Sequence, residues 1–136
     1  MNKSEASYKK QLTNYIEDHG DILDTNEKKL VFLEGVLAQK LLNIQRRNRD
    51  GATPFQARLN GLKLNEKVVK RLYPEIINKL EQYDENYYKQ LEELIADHAL
   101  HCDFEGISNA ELSFYFTTGM NQAHNFTFKN NETEEE

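Results

Sequence analysis

The chain has 136 residues, of which 29% are charged and 38% hydrophobic, and its formal net charge at pH 7 is −6. This length is typical of one domain, and apolar residues that recur in phase exclude a disordered chain. A single cysteine, Cys102, excludes an internal disulfide bond and a four-thiolate zinc site.

Apolar residues recur at helical spacing in the first third of the chain. Tyr8, Leu12 and Tyr15 are spaced four and three residues apart, which predicts a helix over residues 4–19. The apolar arc that follows is broader and predicts a second helix over residues 26–47. A helix with so broad an apolar surface contacts neighbours on several sides, so we expect it at the centre of the fold.

The middle of the chain predicts three further helical segments. A short helix is expected over residues 54–60, another helix begins after Asn65, and a long helix extends over residues 74–101. Pro74 lacks a backbone N–H group, so we expect the chain to kink or to restart its helix there.

The last predicted helix begins at a capping box at Ser108. Gly119 in its interior costs about 1 kcal/mol relative to Ala, and a closely packed neighbouring helix is the expected reason. The whole pattern predicts an all-α fold, a bundle of about five helices with one long helix near residues 74–101. We expect a single domain over residues 1–129 and an acidic disordered tail over residues 130–136.

Neither export nor membrane insertion is expected. The N-terminal residues do not contain the apolar segment of a signal peptide, and no run approaches the ~18 apolar residues of a transmembrane helix. We therefore expect a cytoplasmic protein with no membrane partner.

Positive charge is concentrated in residues 40–71, here called the basic stretch. It contains nine Lys or Arg and two acidic residues, whereas the rest of the chain contains eight basic and 21 acidic residues. Such asymmetry predicts an anionic partner, and a phosphate backbone is the first candidate. The candidate nucleic-acid-binding residues are Lys40, Arg46, Arg47, Arg49, Arg58, Lys63, Lys67, Lys70 and Arg71. Arginine pairs with phosphate oxygens in bidentate fashion, so the first four arginines of the basic stretch are the most favoured contacts.

A second group of residues has side chains that bind metals: His98, His101, Cys102 and Asp103. The sequence identifies no second segment that would complete a metal site, and a helix C-terminus, which favours histidine, explains the histidines. The sequence also lacks a glycine-rich phosphate loop, a nucleophile elbow and an HExxH motif. We therefore predict no catalytic residue, no metal, no cofactor and no small-molecule substrate.

Three segments resemble a known protein family: FLEGVLAQKLLNIQ (residues 32–45), TPFQARLNGLKLNEKVVKRLYPEIINKLEQY (residues 53–83) and ISNAELSFYFTTGMNQAHNF (residues 107–126). They are similar to the C-terminal helical region of the large subunit of type I-B CRISPR effector complexes, the Csh-type Cascade protein. The similarity covers most of residues 28–126 and consists of a pattern of helices and turns without a catalytic signature.

The resemblance implies a role in a ribonucleoprotein complex. In related type I systems this region is also made as a separate small subunit, from an internal start codon in the large-subunit gene, and this chain looks like that small subunit. Its implied partners are the large subunit, the backbone subunits, further copies of itself, the guide RNA and the target DNA. Its implied role is non-catalytic: it steadies the guide RNA, the target strand and the displaced strand during R-loop formation.

Two other classes of function stay open on the sequence. One is a helical adaptor that binds only proteins, with its acidic surface as the working face. The other is a metal-dependent enzyme that uses residues 98–103. Binding to single-stranded DNA would argue against the adaptor, and purified protein without metal would argue against the enzyme.

Overall fold

The structure, a computed structural model, describes residues 8–48, 54–60, 63–82, 88–99 and 104–126. Within these ranges the chain forms six α-helices, two short 3₁₀ segments and no strand, which confirms the predicted all-α bundle. The helices are α1 (Tyr8–Asp18), α2 (Asn26–Asn48), α3 (Pro54–Asn60), α4 (Glu66–Glu81), α5 (Tyr88–Ala99) and α6 (Asn109–Gln122), and the 3₁₀ segments are Phe104–Gly106 and Ala123–Asn125. None of the helices described is long and apolar enough to cross a membrane.

Side-chain caps fix where two of the helices begin, as the sequence predicts. Asn65 accepts a hydrogen bond of 2.9 Å from the backbone N–H of Val68 at the start of α4. At the start of α6, Ser108 Oγ accepts from the N–H of Glu111 at 3.1 Å, and the Glu111 carboxylate accepts from the N–H of Ser108 at 2.9 Å. These bonds satisfy N–H groups that have no partner inside the helix.

The long helix predicted near residues 74–101 has different boundaries in the structure. α4 continues through Pro74 without a restart and ends at Glu81, and α5 begins at Tyr88. Residues 83–87, where the sequence predicts an unbroken helix, lie outside the described residues, as does the predicted tail.

Helix α4 tolerates Pro74 because its apolar face is buried on both sides of the proline. A proline inside a helix removes a backbone hydrogen bond and costs about 3 kcal/mol. Burial of one large aliphatic side chain contributes roughly 1.5–3 kcal/mol, so several in phase outweigh that cost. The buried side chains of this face are Val69, Leu72, Ile76, Ile77 and Leu80.

Helix α2 lies at the centre of the fold, as predicted. It packs against α4, α5 and α6, and all residues from 30 to 38 are buried. A surface helix buries only one stripe, so this unbroken run means that α2 is covered on all sides. This buried run includes Glu34 and Gly35, although glutamate is rarely buried and glycine is a poor helix former.

The most extensive contact between two helices is that of α2 with α6. The two backbones meet at a pair of glycines. A Cβ atom added to Gly35 would overlap the carbonyl oxygen of Phe116, and one added to Gly119 would overlap the carbonyl oxygen of Phe32. The close helical neighbour predicted for Gly119 is therefore confirmed, and that neighbour is α2.

Helices α2 and α6 run parallel, because their residues meet in the same order along both. Near the start of α2, the Lys28 ammonium lies 5.7 Å from the centre of the Tyr115 ring. Near its end, Lys40 donates a hydrogen bond of 2.6 Å to the carbonyl of Phe126. The segment between the two helices must therefore return the chain to the end of the bundle where α2 begins.

Replacement of either core glycine by alanine should destabilise the protein. In an open helix, Gly→Ala stabilises by about 1 kcal/mol. At Gly35 and Gly119 the added Cβ must displace a backbone carbonyl, so we expect a net loss of roughly 1–3 kcal/mol in the free energy of unfolding, measured with urea. Gly106→Ala is the matched control, because no atom lies within 4 Å of the added Cβ. Wild-type stability of Gly35→Ala would contradict the contact between the two backbones.

Candidate functional site

The basic stretch does not form one continuous surface. Three of its side chains are engaged by partners within the chain, namely Lys40, Arg58 and Lys70. Four others are exposed and form no ion pair within the described part of the chain, namely Arg46, Lys63, Lys67 and Arg71. The side chain of Arg47 and the whole of Arg49 lie outside the described residues.

The engaged side chains have partners that differ in how easily a phosphate could replace them. Arg58 forms an ion pair of 2.5 Å with Glu75, and Lys70 forms one of 2.7 Å with Glu66. Both pairs are partly exposed, and such pairs contribute about 0–1 kcal/mol, so a phosphate could take the place of the carboxylate at little cost. Lys40 is half-buried and bound to a backbone carbonyl, which makes it the least accessible of the three.

Lys63, Lys67 and Arg71 form the α4 cationic face. Lys67 and Arg71 are four residues apart on α4, so they project from the same side of the helix. Lys63 precedes the Asn65 cap by two residues, beside the end of α4 that carries the positive pole of the helix dipole. An anion would meet three charged side chains and a favourable dipole there.

Arg46 lies apart from the α4 cationic face. Leu30 and Glu34 of α2 line the same cleft as Val69 and Lys70 of α4, so α4 begins beside the first half of α2. Arg46 is 12 residues beyond Glu34, which places it about 18 Å farther along the axis of α2. The structure therefore divides the basic stretch into two separate cationic sites, and neighbours in sequence are not neighbours in space.

The residues that resemble metal ligands are only partly described. His98 lies in the last turn of α5, where its Nδ1 is 3.0 Å from Oδ1 of Asn26. Residues 101–103 lie outside the described residues. Among those that are described, no three His, Cys, Asp or Glu side chains are grouped so that they could hold a metal ion.

Glu34 is a feature that the sequence analysis missed. Its side chain is 1% exposed, and its Oε1 has no hydrogen-bond partner in the described part of the chain. Burial raises the pKa of this carboxyl well above its ordinary value, since the charged form loses its water. A carboxyl group that is buried without a partner destabilises a fold, so Glu34 requires an explanation.

A cleft of about 280 Å³ adjoins Glu34, between α2, α4, α5 and the first 3₁₀ segment. Its walls are largely apolar, and the lining includes Glu34, Val69, Lys70, Tyr73, Ile95 and Phe104. The Tyr73 phenol is half-buried, and its pKa is raised to about 12, mainly by burial and further by the negative charges of Glu92 and Glu34. Tyr73 therefore stays protonated at physiological pH.

The sequence does contain a signal for Glu34. Residues 30–38 read LVFLEGVLA, so the glutamate stands in the middle of the apolar arc that predicts the central helix. By helical phase it lies beside Leu30 and Leu41, at the edge of the apolar stripe, from which a long side chain can still reach solvent. Because α2 is covered on all sides, the same position is buried, and only the packing of neighbouring helices shows this.

An exposed apolar pair is a second feature that the sequence did not identify. Phe114 is 57% exposed and Ile22 is 46% exposed. Both line a small depression of about 60 Å³ whose other walls include Tyr15 and Phe32. Contiguous exposed apolar patches mark surfaces that contact other proteins, and these two side chains adjoin one depression.

Comparison with known proteins identifies one family. The sequence model described as CRISPR-associated protein TM1802, C-terminal domain, matches residues 1–134. No curated protein and no solved structure shows significant similarity to the chain.

The stability of the protein should depend on pH through Glu34. The folded state keeps the Glu34 proton at pH values where the unfolded state has lost it, so the folded state binds more protons. The free energy of unfolding should therefore fall from about pH 4.5 upwards, by up to ~1.4 kcal/mol per pH unit, until Glu34 ionises in the folded protein.

Glu34→Gln removes this titration and keeps the shape of the side chain. Urea unfolding at several pH values should show that the variant gains stability relative to the wild type as the pH rises. Glu66→Gln, at an exposed carboxylate, is the control and should follow the wild-type profile. Parallel profiles for Glu34→Gln and the wild type would refute the role of Glu34.

Proposed function

Because this chain belongs to the family of CRISPR-associated proteins defined by the TM1802 C-terminal domain, we propose that it is a non-catalytic helical part of a CRISPR effector complex. In this proposal it stabilises guide RNA and target DNA through contacts with phosphates that do not depend on sequence. The finer assignment is the small subunit of a type I-B Cascade complex. Its partners are then the large subunit, the backbone subunits and further copies of itself.

The observation that carries this proposal is the α4 cationic face. Lys63, Lys67 and Arg71 are exposed and have no carboxylate partner in the described part of the chain. Charged side chains of this kind bind phosphates without reading bases. The proposal thus keeps the basic stretch as a region and moves the favoured contacts from its first arginines to the start of α4.

Arg46 supplies a second contact point in this proposal. It lies about 18 Å farther along the axis of α2 than Glu34 does, and one strand of a DNA duplex carries about one phosphate per 3.4 Å of helix axis. A strand that touches both sites would therefore pass several phosphates between them. Such spacing suits a subunit that binds along a nucleic-acid backbone and not at one phosphate only.

The net charge of −6 limits how strongly the isolated chain can bind nucleic acid. Acidic side chains elsewhere repel a polyanion, and a few phosphate contacts give weak affinity. In a complex, several subunits held side by side add their contacts at high effective concentration. The function proposed here is therefore a property of the assembled complex.

Neutralisation of the exposed cations should weaken DNA binding and reduce its dependence on salt. We propose the variant with Arg46, Lys63, Lys67 and Arg71 changed to Gln, in a reconstituted effector complex titrated with target DNA at several salt concentrations. Each lost phosphate contact on a single strand reduces the slope of log affinity against log salt by about 0.7, so four contacts reduce it by up to about 3.

The control for this experiment is a variant with Lys10 and Lys89 changed to Gln, two exposed lysines on α1 and α5. It should bind DNA with the wild-type slope. If the complex with all four substitutions assembles and its slope of log affinity against log salt is unaltered, these side chains do not contact phosphates.

The exposed pair of Phe114 and Ile22 favours a second candidate, a helical adaptor that binds only proteins. Phe114→Ser removes the more exposed of the two apolar side chains at this depression and should weaken assembly of the complex, because the contact with a neighbouring subunit is lost. Phe114 is mostly exposed, so thermal stability of the isolated chain should change little. Weakened assembly together with unaltered salt dependence in the fourfold cation variant would favour the adaptor.

A further inference from the structure

We propose that the cleft at Glu34 receives an arginine side chain from a protein partner, with the guanidinium group paired to the Glu34 carboxylate. This site takes a cation from a protein, whereas the cationic side chains discussed above take phosphates. The two proposals therefore concern different groups and can fail separately.

The size of the cleft suits one side chain. Its volume is about 280 Å³, many times the ~30 Å³ that one water molecule occupies in the liquid. It lies just below the ~300–1,000 Å³ range of small-molecule pockets, so the cleft is small for a nucleotide. The cleft is partly open to solvent, so a side chain from outside the domain can enter it.

The Glu34 carboxyl provides an unused acceptor. Oε1 is buried and has no hydrogen-bond partner among the described residues, although the side chain lines a cleft that a ligand can enter. An acceptor in a dry environment gains more from a charged donor than the same acceptor gains in water. A donor that enters the cleft would therefore bind here in preference to an exposed carboxylate.

The charges around the cleft favour a cation. Glu34 faces it from α2, and Glu92 on α5 and Glu34 both act electrostatically on Tyr73 of α4. Lys70 is the one cationic side chain among the described lining residues, and its charge is already paired with Glu66. The described lining thus carries one carboxyl without a partner, that of Glu34, and one cation that is already paired.

Arginine fits this lining better than other cationic groups. Its planar guanidinium can donate two parallel hydrogen bonds to one carboxylate and is more weakly hydrated than an ammonium group. Its methylene groups suit the apolar walls formed by Val69 and Ile95, and its plane can stack on the rings of Tyr73 or Phe104.

The test uses the full chain and N-acetyl-arginine methylamide as the probe, followed by NMR. We expect saturable shifts of the signals of Val69, Ile95 and Ala96, with a dissociation constant on the order of 1 mM, as the size of the probe allows. The neutral isostere N-acetyl-citrulline methylamide should produce no saturable shift. Equal shifts with the two probes would overturn the proposal, because the charge of the guanidinium would then play no part.

Two variants separate binding at Glu34 from a general effect on the fold. Glu34→Gln should bind the arginine probe at least tenfold more weakly, and Ala96→Leu, which narrows the mouth and leaves Glu34 in place, should also weaken binding. Glu93→Gln, at an exposed carboxylate on α5, is the control and should bind as the wild type does. Wild-type affinity in both Glu34→Gln and Ala96→Leu would overturn the proposal.

The charge state of Glu34 gives an independent readout. Pairing with a guanidinium requires the ionised carboxylate, so binding should release a proton and the affinity should rise from about pH 4.5 upwards, until Glu34 ionises in the free protein. The other titratable side chains at the cleft are Lys70 and Tyr73 from α4 and Glu92 from α5. Constant affinity across this range, or stronger shifts of the same signals with a single-stranded oligonucleotide, would contradict an arginine as the occupant.

Discussion

The direct contact between the backbones of α2 and α6 is the constraint on which the rest of this fold depends. Gly35 and Gly119 each leave the space that a carbonyl of the opposite helix occupies, so the two helices lie closer than side chains would allow. Because α6 covers one side of α2 at close range, α4 and α5 can cover the others. An average helix buries one stripe, whereas α2 buries every residue from 30 to 38.

Complete burial of α2 has a consequence for chemistry. Glu34 follows the apolar residues of the same helix into the interior, next to the glycine that allows the close approach of α6. A fold selected only for stability would place an apolar residue there, since an apolar side chain of similar volume loses nothing on burial. The buried carboxyl lines the cleft next to α4 and α5, and the pairing proposed above would supply its missing partner.

How far the sequence predicts the structure depends on whether a signal is local. The caps at Asn65 and Ser108 are local and were predicted correctly. The close contact at Gly119 was also predictable, because a glycine within a helix has a cost that packing must offset. The boundaries of α4 and α5 could not be predicted, since the burial of neighbouring side chains decides whether a helix continues through Pro74.

The candidate site was predicted as a region and not as a geometry. The sequence shows that the basic stretch contains nine cationic residues. It does not show that Arg58 pairs with Glu75, or how far Arg46 lies from α4 along the axis of α2. Those facts depend on how helices pack, as does the burial of Glu34. They change which side chains we propose as phosphate contacts, and they place a buried carboxyl beside a cleft.

The most direct test of the proposed function is site-specific photo-crosslinking in the assembled effector complex with guide RNA and target DNA. A photoreactive side chain at Lys67, on the α4 cationic face, should form a crosslink with nucleic acid, whereas the same group at Lys10 on α1 should not. Crosslinks from position 67 that reach only protein, or equal nucleic-acid crosslinks from both positions, would contradict a phosphate-binding role for the start of α4.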